Sequence, residues 1–202
     1  MRAREFGPRA LLVEVGSAVE AAELAGWARA VPVAAGEIVP AAATVLFDDV
    51  ASPDALRAAL ADWTPSGAVP AGPLVELPTA YDGPDLAFVA RHWGVGDAEV
   101  VERHTTLEFT SAFCGFAPGF AYLTGLPEEW VVPRLESPRP RVPAGSVGLA
   151  GPYCGVYPSA SPGGWRLLGR TEVPLWDLAR DEPALLAPGV RVRFTDASAA
   201  GS

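Results

Sequence analysis

The chain has 202 residues, of which half are hydrophobic and 19% charged, so it can bury a core and is not a disordered polymer. Fifteen basic residues against 24 acidic ones give a net charge of −9, which argues against a surface for nucleic acid or anionic membranes. The sequence contains no Lys, Asn or Gln, which excludes a P-loop, a Schiff-base lysine and an amide oxyanion donor. An anion must therefore be held by Arg, backbone N–H, hydroxyls or His. Two cysteines, Cys114 and Cys154, and two histidines are too few for a structural zinc site, so no metal site is expected in this chain. No apolar run reaches the ~18 residues of a spanning helix, and the first eight residues lack the apolar stretch of a secretory leader. The expectation is a soluble cytoplasmic protein.

Residues 11–15 read as a strand. Ser17 is a candidate N-cap for a helix over 19–30, with Glu20 three residues on completing a capping box and Leu24 and Trp27 on its inner face. Ile38-Val39 and then residues 43–47 read as a second strand region. Ser52-Pro53-Asp54 opens another helix, running to Trp63 with Pro53 at its first position. Strand, helix, strand, helix over about the first 62 residues suits a small α+β sandwich. A Pro/Gly/Ser-rich stretch over 64–73 reads as a linker, dividing the chain into domains 1–73 and 74–202.

Beyond the linker, 74–78 reads as a strand, and 85–93 and 97–104 as short helices. From Gly115 to Thr171 a third of the residues are Gly or Pro, so long helices are not expected there. The same stretch holds seven aromatic residues of larger size, from Phe116 to Trp165, which linkers rarely carry. It reads as short strands joined by ordered turns, a β-barrel or sandwich. Residues 190–194 alternate at period two and would supply the closing strand; 197–202 read as a frayed tail.

Arg134, Arg139, Arg141, Arg166 and Arg170 fall within residues 130–171 beside a single acid, Glu136. As a set they suggest a site for a phosphate or carboxylate, because Arg presents a fixed fork to such groups; singly, each could brace a turn. Gly163-Gly164-Trp165 and Pro143-Ala144-Gly145-Ser146 are turns where backbone can approach a ligand, or ordinary hairpin turns. Ser146 is a possible donor, although no G-x-S-x-G elbow surrounds it. His104 precedes a strand and could face a cavity or be a satisfied core residue; His92 reads as incidental. Phe120 and Tyr122 read first as core, and Asp82 and Asp85 as a turn and a helix start.

Residues 115–123, Gly-Phe-Ala-Pro-Gly-Phe-Ala-Tyr-Leu, resemble the G-F-x-P-G-F-x-Y-L motif of a bacterial family that comprises the B-type subunits of 5-oxoprolinase, KipI and allophanate hydrolase subunit 1. The likeness extends through Pro133-Arg134, Pro138-Arg139, the 141–147 segment, Gly155 to Pro158, Ser161 to Trp165 and Gly169-Arg170-Thr171. Upstream, Tyr81 to Leu86, His104-Thr105, Phe6-Gly7 and Ala10 to Val13 also fit, so it covers nearly the whole chain. Pro8, Phe109 and Cys114 depart from the family pattern, and none of them touches the Arg and Gly positions.

The resemblance implies an α+β protein: a small N-terminal α/β sandwich domain followed by a cyclophilin-like β-barrel. It implies partners, a KipA-like C-type subunit of cyclophilin fold and an A-type subunit of the LamB/YcsF kind. With them the complex would hydrolyse 5-oxo-L-proline to L-glutamate, with ATP and Mg2+ as co-substrate, the chain being inactive alone. Phosphorylating the oxygen of an unreactive lactam makes its carbon electrophilic, work for arginines and N–H groups rather than a nucleophilic triad. The expected roles are His104, Tyr122 and Arg141 in catalysis, and Arg134, Arg170 and Ser146 as anion or substrate ligands. Gly119, Gly163 and Gly164 would give close backbone approach. Two alternatives come from the same family: a KipI-type inhibitor binding a sporulation histidine kinase, and the carboxyltransferase part of a urea carboxylase or allophanate pathway. In the latter, biotin would come from a partner, since this chain has no lysine to carry it.

Overall fold

The first helix starts at the capping signal. In the computed structural model, which describes residues 1–31, 34–66 and 72–198, the Glu20 N–H donates to the Ser17 hydroxyl at 3.2 Å. The Glu20 carboxylate reaches one residue further back than in a capping box, accepting from the Gly16 N–H at 2.8 Å. Helix α1 spans Ala18–Ala30 and buries Ala21, Leu24, Ala25 and Ala28, a face at helical spacing, with Trp27 packed at its margin.

Two compact units make up the chain, Met1–Pro70 and Ala71–Ser202. In the first, strands β1 (Arg2–Glu5), β2 (Leu11–Glu14), β3 (Glu37–Pro40) and β4 (Thr44–Asp48) form an antiparallel sheet in the order β1-β2-β4-β3. Leu11 pairs with Phe47 and Val13 with Val45, and these four fully buried side chains meet Leu24 of α1 and Leu56 and Leu60 of helix α2 (Pro53–Ala61). Ser52 caps α2 and Pro53 opens it, as the sequence indicates. Strand β1 was not foreseen. Its sequence, Arg-Ala-Arg-Glu, carries no apolar alternation; it is a charged edge strand, with Arg4 paired to Glu14 across the ladder. Half of the expected linker, residues 67–71, lies outside the described residues, as do residues 199–202 of the expected tail.

The second unit opens with β5 (Leu74–Thr79), helices α3 (Leu86–Trp93) and α4 (Asp97–Thr106), and the hairpin β6 (Phe109–Cys114) and β7 (Ala121–Thr124). It continues through β8 (Arg139–Val142), β9 (Ser146–Ala150), β10 (Tyr153–Val156), β11 (Ser161–Gly163), β12 (Arg166–Arg170) and β13 (Arg191–Asp196). Between Gly115 and Thr171 the helical content is one 3-10 turn at Glu128–Trp130. Seven strands form one nearly closed, barrel-like sheet, ordered β12-β9-β10-β7-β6-β13-β5, and β8 with β11 forms a separate ribbon. The fold is α+β. Strand β13 is not the closing strand expected: it lies between β6 and β5 and runs parallel to β5.

Closure is made instead just past β5, where Ala80 and Arg170 exchange two backbone hydrogen bonds of 2.8 and 2.9 Å. The Y-D-G-P-D segment then continues along β12, with the Gly83 and Asp85 N–H groups donating to Leu168 and Leu167 carbonyls. A Cβ on Gly169 would collide with the Ala80 carbonyl oxygen, and one on Gly83 with backbone at Leu167 and Leu168. These two glycines let the barrel's edges meet. Helix α4 packs on β13 and α3 on β12. Among the described residues no helix is long and apolar enough to cross a membrane.

Candidate functional site

A cavity of about 900 Å³ opens in the second unit. Phe120, Tyr122, Tyr153, Tyr157 and Trp165 line it, with Phe116 at its edge, 60% exposed. The strands explain their convergence. Tyr122 comes from β7 and Tyr153 from β10, two neighbours in the sheet, and Trp165 immediately precedes β12. The rings meet edge to face: Phe120 lies 5.1 Å from Tyr122, 5.5 Å from Tyr157 and 5.3 Å from Trp165. Tyr122 is backed by Phe113, stacked at 4.5 Å. Phe116 holds the left-handed conformation, φ 70°, uncommon for a bulky side chain, and sets its ring edge-on to Phe120 and Tyr157.

The polar groups of this wall are few. Burial raises the Tyr153 and Tyr157 hydroxyls above the ordinary phenol value; for Tyr157 a hydrogen bond from the Trp165 backbone and the charges of Arg134 and Arg139 partly oppose it. Both therefore keep their protons at neutral pH and can donate. Gly163 lies against the Tyr157 hydroxyl so closely that no Cβ would fit. Arg134 is exposed on the lining and, among the described residues, makes no ion pair. Among the described residues no carboxylate lines the cavity. The arrangement can hold a flat group bearing one negative charge and offer it O–H donors.

The five arginines do not converge. Arg139 donates to both carboxylate oxygens of Asp85 at 2.9 Å and to the Trp165 carbonyl at 3.2 Å. Arg166 lies 3.7 Å from Asp85, over the Phe88 ring at 3.6 Å, and donates to the Pro133 carbonyl. Arg170 pairs with Asp82 at the barrel seam. Arg141 is exposed on β8, away from the cavity lining. Pairing with two aspartates and separation along the chain explain the difference from a single anion pocket: the charge excess of residues 130–171 omits Asp82 and Asp85, which lie 54 to 88 residues before the arginines they pair with.

His104 faces no cavity. It stands four residues after Val100 on the inner face of α4, fully buried, its ring 4.5 Å from Phe194 and 5.3 Å from Phe109. Its Nδ1 lies 2.8 Å from the Tyr81 hydroxyl and its Nε2 3.4 Å from Cys154 Sγ. Desolvation lowers its pKa from 6.5 to about 3, and burial likewise pushes Tyr81 and Cys154 up. Ser146 is buried in β9 beside Arg170, off the cavity. Gly119 turns at φ 83° against Leu175 and Trp176, and Gly145 presses on the Thr171 carbonyl. These backbones approach other parts of the protein rather than an open site. Tyr122, Arg134, Gly163 and Gly164 do line the cavity together.

Sequence reasoning missed Tyr153, Tyr157, Trp165 and His92 as lining residues. The available signal was the run of aromatics in a Gly/Pro-rich stretch, which identifies an ordered region but not its inward faces. His92 donates through Nε2 to the Val131 carbonyl, 3.0 Å away, and stacks on Phe88.

The family model of the carboxyltransferase domain, subdomain C and D, matches residues 1–186. A relative from Escherichia coli O157:H7, named as the B-type subunit of 5-oxoprolinase, is 52% identical over 136 residues, 65% of this chain and 62% of the relative. This chain thus matches less than two thirds of that relative's length. The solved structure of TTHA0988 superposes with a TM-score of 0.79 at 34% identity, covering 93% of this chain and 39% of that one. Kluyveromyces lactis urea carboxylase, at 20% identity and a TM-score of 0.69 over 96% of this chain and 21% of that one, shares the fold.

Proposed function

This chain belongs to the family of the carboxyltransferase domain, subdomains C and D, and from that premise we propose that it is the B-type subunit of an ATP-dependent 5-oxoprolinase. Likeness to a relative of that name supports the assignment. The observation that carries the site is the aromatic cavity whose one cation, Arg134, has no carboxylate partner among the described residues. 5-Oxo-L-proline is a flat five-membered lactam with one carboxylate. Arg134 takes the carboxylate in its fork, the ring lies against Tyr122 and Trp165, and a tyrosine O–H meets the lactam oxygen.

ATP supplies the driving force. The lactam oxygen bonds to the γ-phosphorus as the bond to ADP breaks. Water then adds to the activated carbon and the C–N bond breaks, the ring nitrogen leaving as the protonated amine to give the γ-glutamyl phosphate; a second water hydrolyses this acyl phosphate to glutamate and inorganic phosphate. This chain's residues do not fit the nucleotide and its Mg2+. Among the described residues one guanidinium and no carboxylate line the cavity, so neither the phosphates nor the Mg2+ they carry find matching groups there. We therefore assign ATP and Mg2+ to the partners, the KipA-like C-type and LamB/YcsF-like A-type subunits. This chain binds and orients the lactam. His104, Arg141, Arg170 and Ser146 have no direct part in that task.

Co-purification with those partners, followed by an oxoproline-to-glutamate assay with and without ATP, tests the proposal. Arg134→Ala should raise the KM for oxoproline about tenfold to a hundredfold, the equivalent of losing one charge-assisted hydrogen bond or pair. No oxoproline-dependent ATP hydrolysis in the assembled complex would refute it. The family's description favours one second reading, a carboxyltransferase fragment, which activity on urea with a biotinylated partner, and none on oxoproline, would establish.

A further inference from the structure

The Asp85 carboxylate does not do what its place at the start of α3 suggests: it makes no capping hydrogen bond to that helix. Almost fully buried, it accepts from Arg139 at 2.9 Å through both oxygens and from the Leu167 N–H at 2.7 Å, with Arg166 at 3.7 Å. Each of these arginines also grips the cavity wall. Arg139 donates to the Trp165 carbonyl and Arg166 Nε to the Pro133 carbonyl, both at 3.2 Å. Pro133 immediately precedes Arg134.

Arg134 sits on a stretch outside any named strand or helix, so its position depends on individual hydrogen bonds. Residues 131–135 are tied to other segments at four points: the Val131 carbonyl to His92, the Val132 carbonyl to the Gly151 N–H at 2.8 Å, the Pro133 carbonyl to Arg166, and the Leu135 N–H to the Gly164 carbonyl at 2.8 Å. The Arg166 tie holds only while its guanidinium stays over Phe88 beside a neutralising charge. Without that charge, two guanidinium groups would stand unpaired together in a poorly hydrated site, and the ties they make to the Pro133 and Trp165 carbonyls would both loosen. From this geometry we infer that Asp85 is a positioning residue for the Arg134 site: acting through Arg166 and Arg139, it fixes the two wall segments that carry Arg134 and Trp165. The inference rests on the cavity being the oxoproline site.

The test uses the assembled complex carrying Asp85→Asn or Arg166→Met, each in the native and the Arg134→Ala background. Hydrogen exchange over residues 131–135 is measured alongside the kinetics. Each single variant should raise the KM for oxoproline about tenfold, with the KM for ATP unchanged. Exchange should quicken at 131–135 and not in β6 or β13. In the Arg134→Ala background neither variant should add a further rise, because the route through Arg134 is already lost. Equal losses in both backgrounds, or unaltered exchange at 131–135, would overturn the inference. Should Asp85→Asn fail to fold, Arg166→Met carries the same test. If exchange quickens as expected but Arg134→Ala itself leaves the oxoproline KM untouched, the grip stands and the substrate site does not.

Discussion

Replacing His104 with Gln should remove an acid sensitivity built into the core of the second unit. The imidazole is fully buried between Phe109 and Phe194, and burial holds its pKa at about 3 against an ordinary 6.5. Above pH 6.5 the ring is neutral in the folded and unfolded chain alike, and it contributes no pH dependence. Between 6.5 and about 3 the unfolded chain binds a proton that the folded chain refuses, so stability falls as the pH falls. The slope is about 1.4 kcal/mol per pH unit, so the loss at pH 4.5 is roughly 3 kcal/mol, a large share of a typical 5–15 kcal/mol. Gln does not titrate. It replaces the Tyr81 and Cys154 contacts imperfectly, at a fixed cost of about 1–3 kcal/mol at every pH. Urea unfolding of the second unit from pH 7.5 to 4.5 should show the native chain ahead at neutral pH, with its lead shrinking through pH 6 and gone or reversed near 4.5. Parallel curves for the two proteins would mean that the ring is not held neutral by the core.

The barrel seam makes a second prediction. Gly169→Ala should lower the melting temperature by many degrees, because its Cβ meets the Ala80 carbonyl at the closing bridge, whereas Gly164→Ala, with no neighbour nearer than 3.8 Å, should melt within about 2 °C of the native chain. Thermal melts of the two variants side by side check it. Arg141→Ala, exposed on β8 and off the cavity, should leave the oxoproline KM of the complex within about twofold, since a surface substitution away from a site is near neutral. A tenfold rise would move the anion site to β8.

The elements most readable in the sequence were those whose signals are local. Ser17 and Glu20 start α1, and Pro53 starts α2, through contacts within four residues, and Leu11, Val13, Val45 and Phe47 alternate as a one-sided sheet requires. Strand β1 escaped because its pairing partner, not its own composition, makes it a strand. Of the residues singled out in the sequence, Arg134, Tyr122, Gly163 and Gly164 line the cavity, while the five arginines do not converge on it. Charge counted in a sequence window cannot register a carboxylate that the barrel's closure brings across from Asp82 or Asp85. His104 was judged by the strand after it, when its position in α4, one turn from Val100, decides where it points. The glycines were legible as close approaches; the partner each one approaches, Ala80, Thr171 or Tyr157, is set by topology.

Charge bookkeeping across the cavity also bears on how work would be divided in the proposed complex. Arg139 and Arg166 share one buried carboxylate, and Arg170 is paired with Asp82, so three of the five arginines are already engaged by aspartates away from the cavity lining. Arg134 is the guanidinium left on the lining. One cation among aromatic walls balances one carboxylate; a polyphosphate carrying three or four charges into the same low-dielectric space would leave most of them unmatched, at several kcal/mol each. Under the proposed function the lactam and the nucleotide would then arrive from different sides, and the phosphoryl group would cross between subunits. A cavity open at Phe116 is what such a handover requires, because the lactam oxygen has to stay accessible to the neighbour that carries the phosphate.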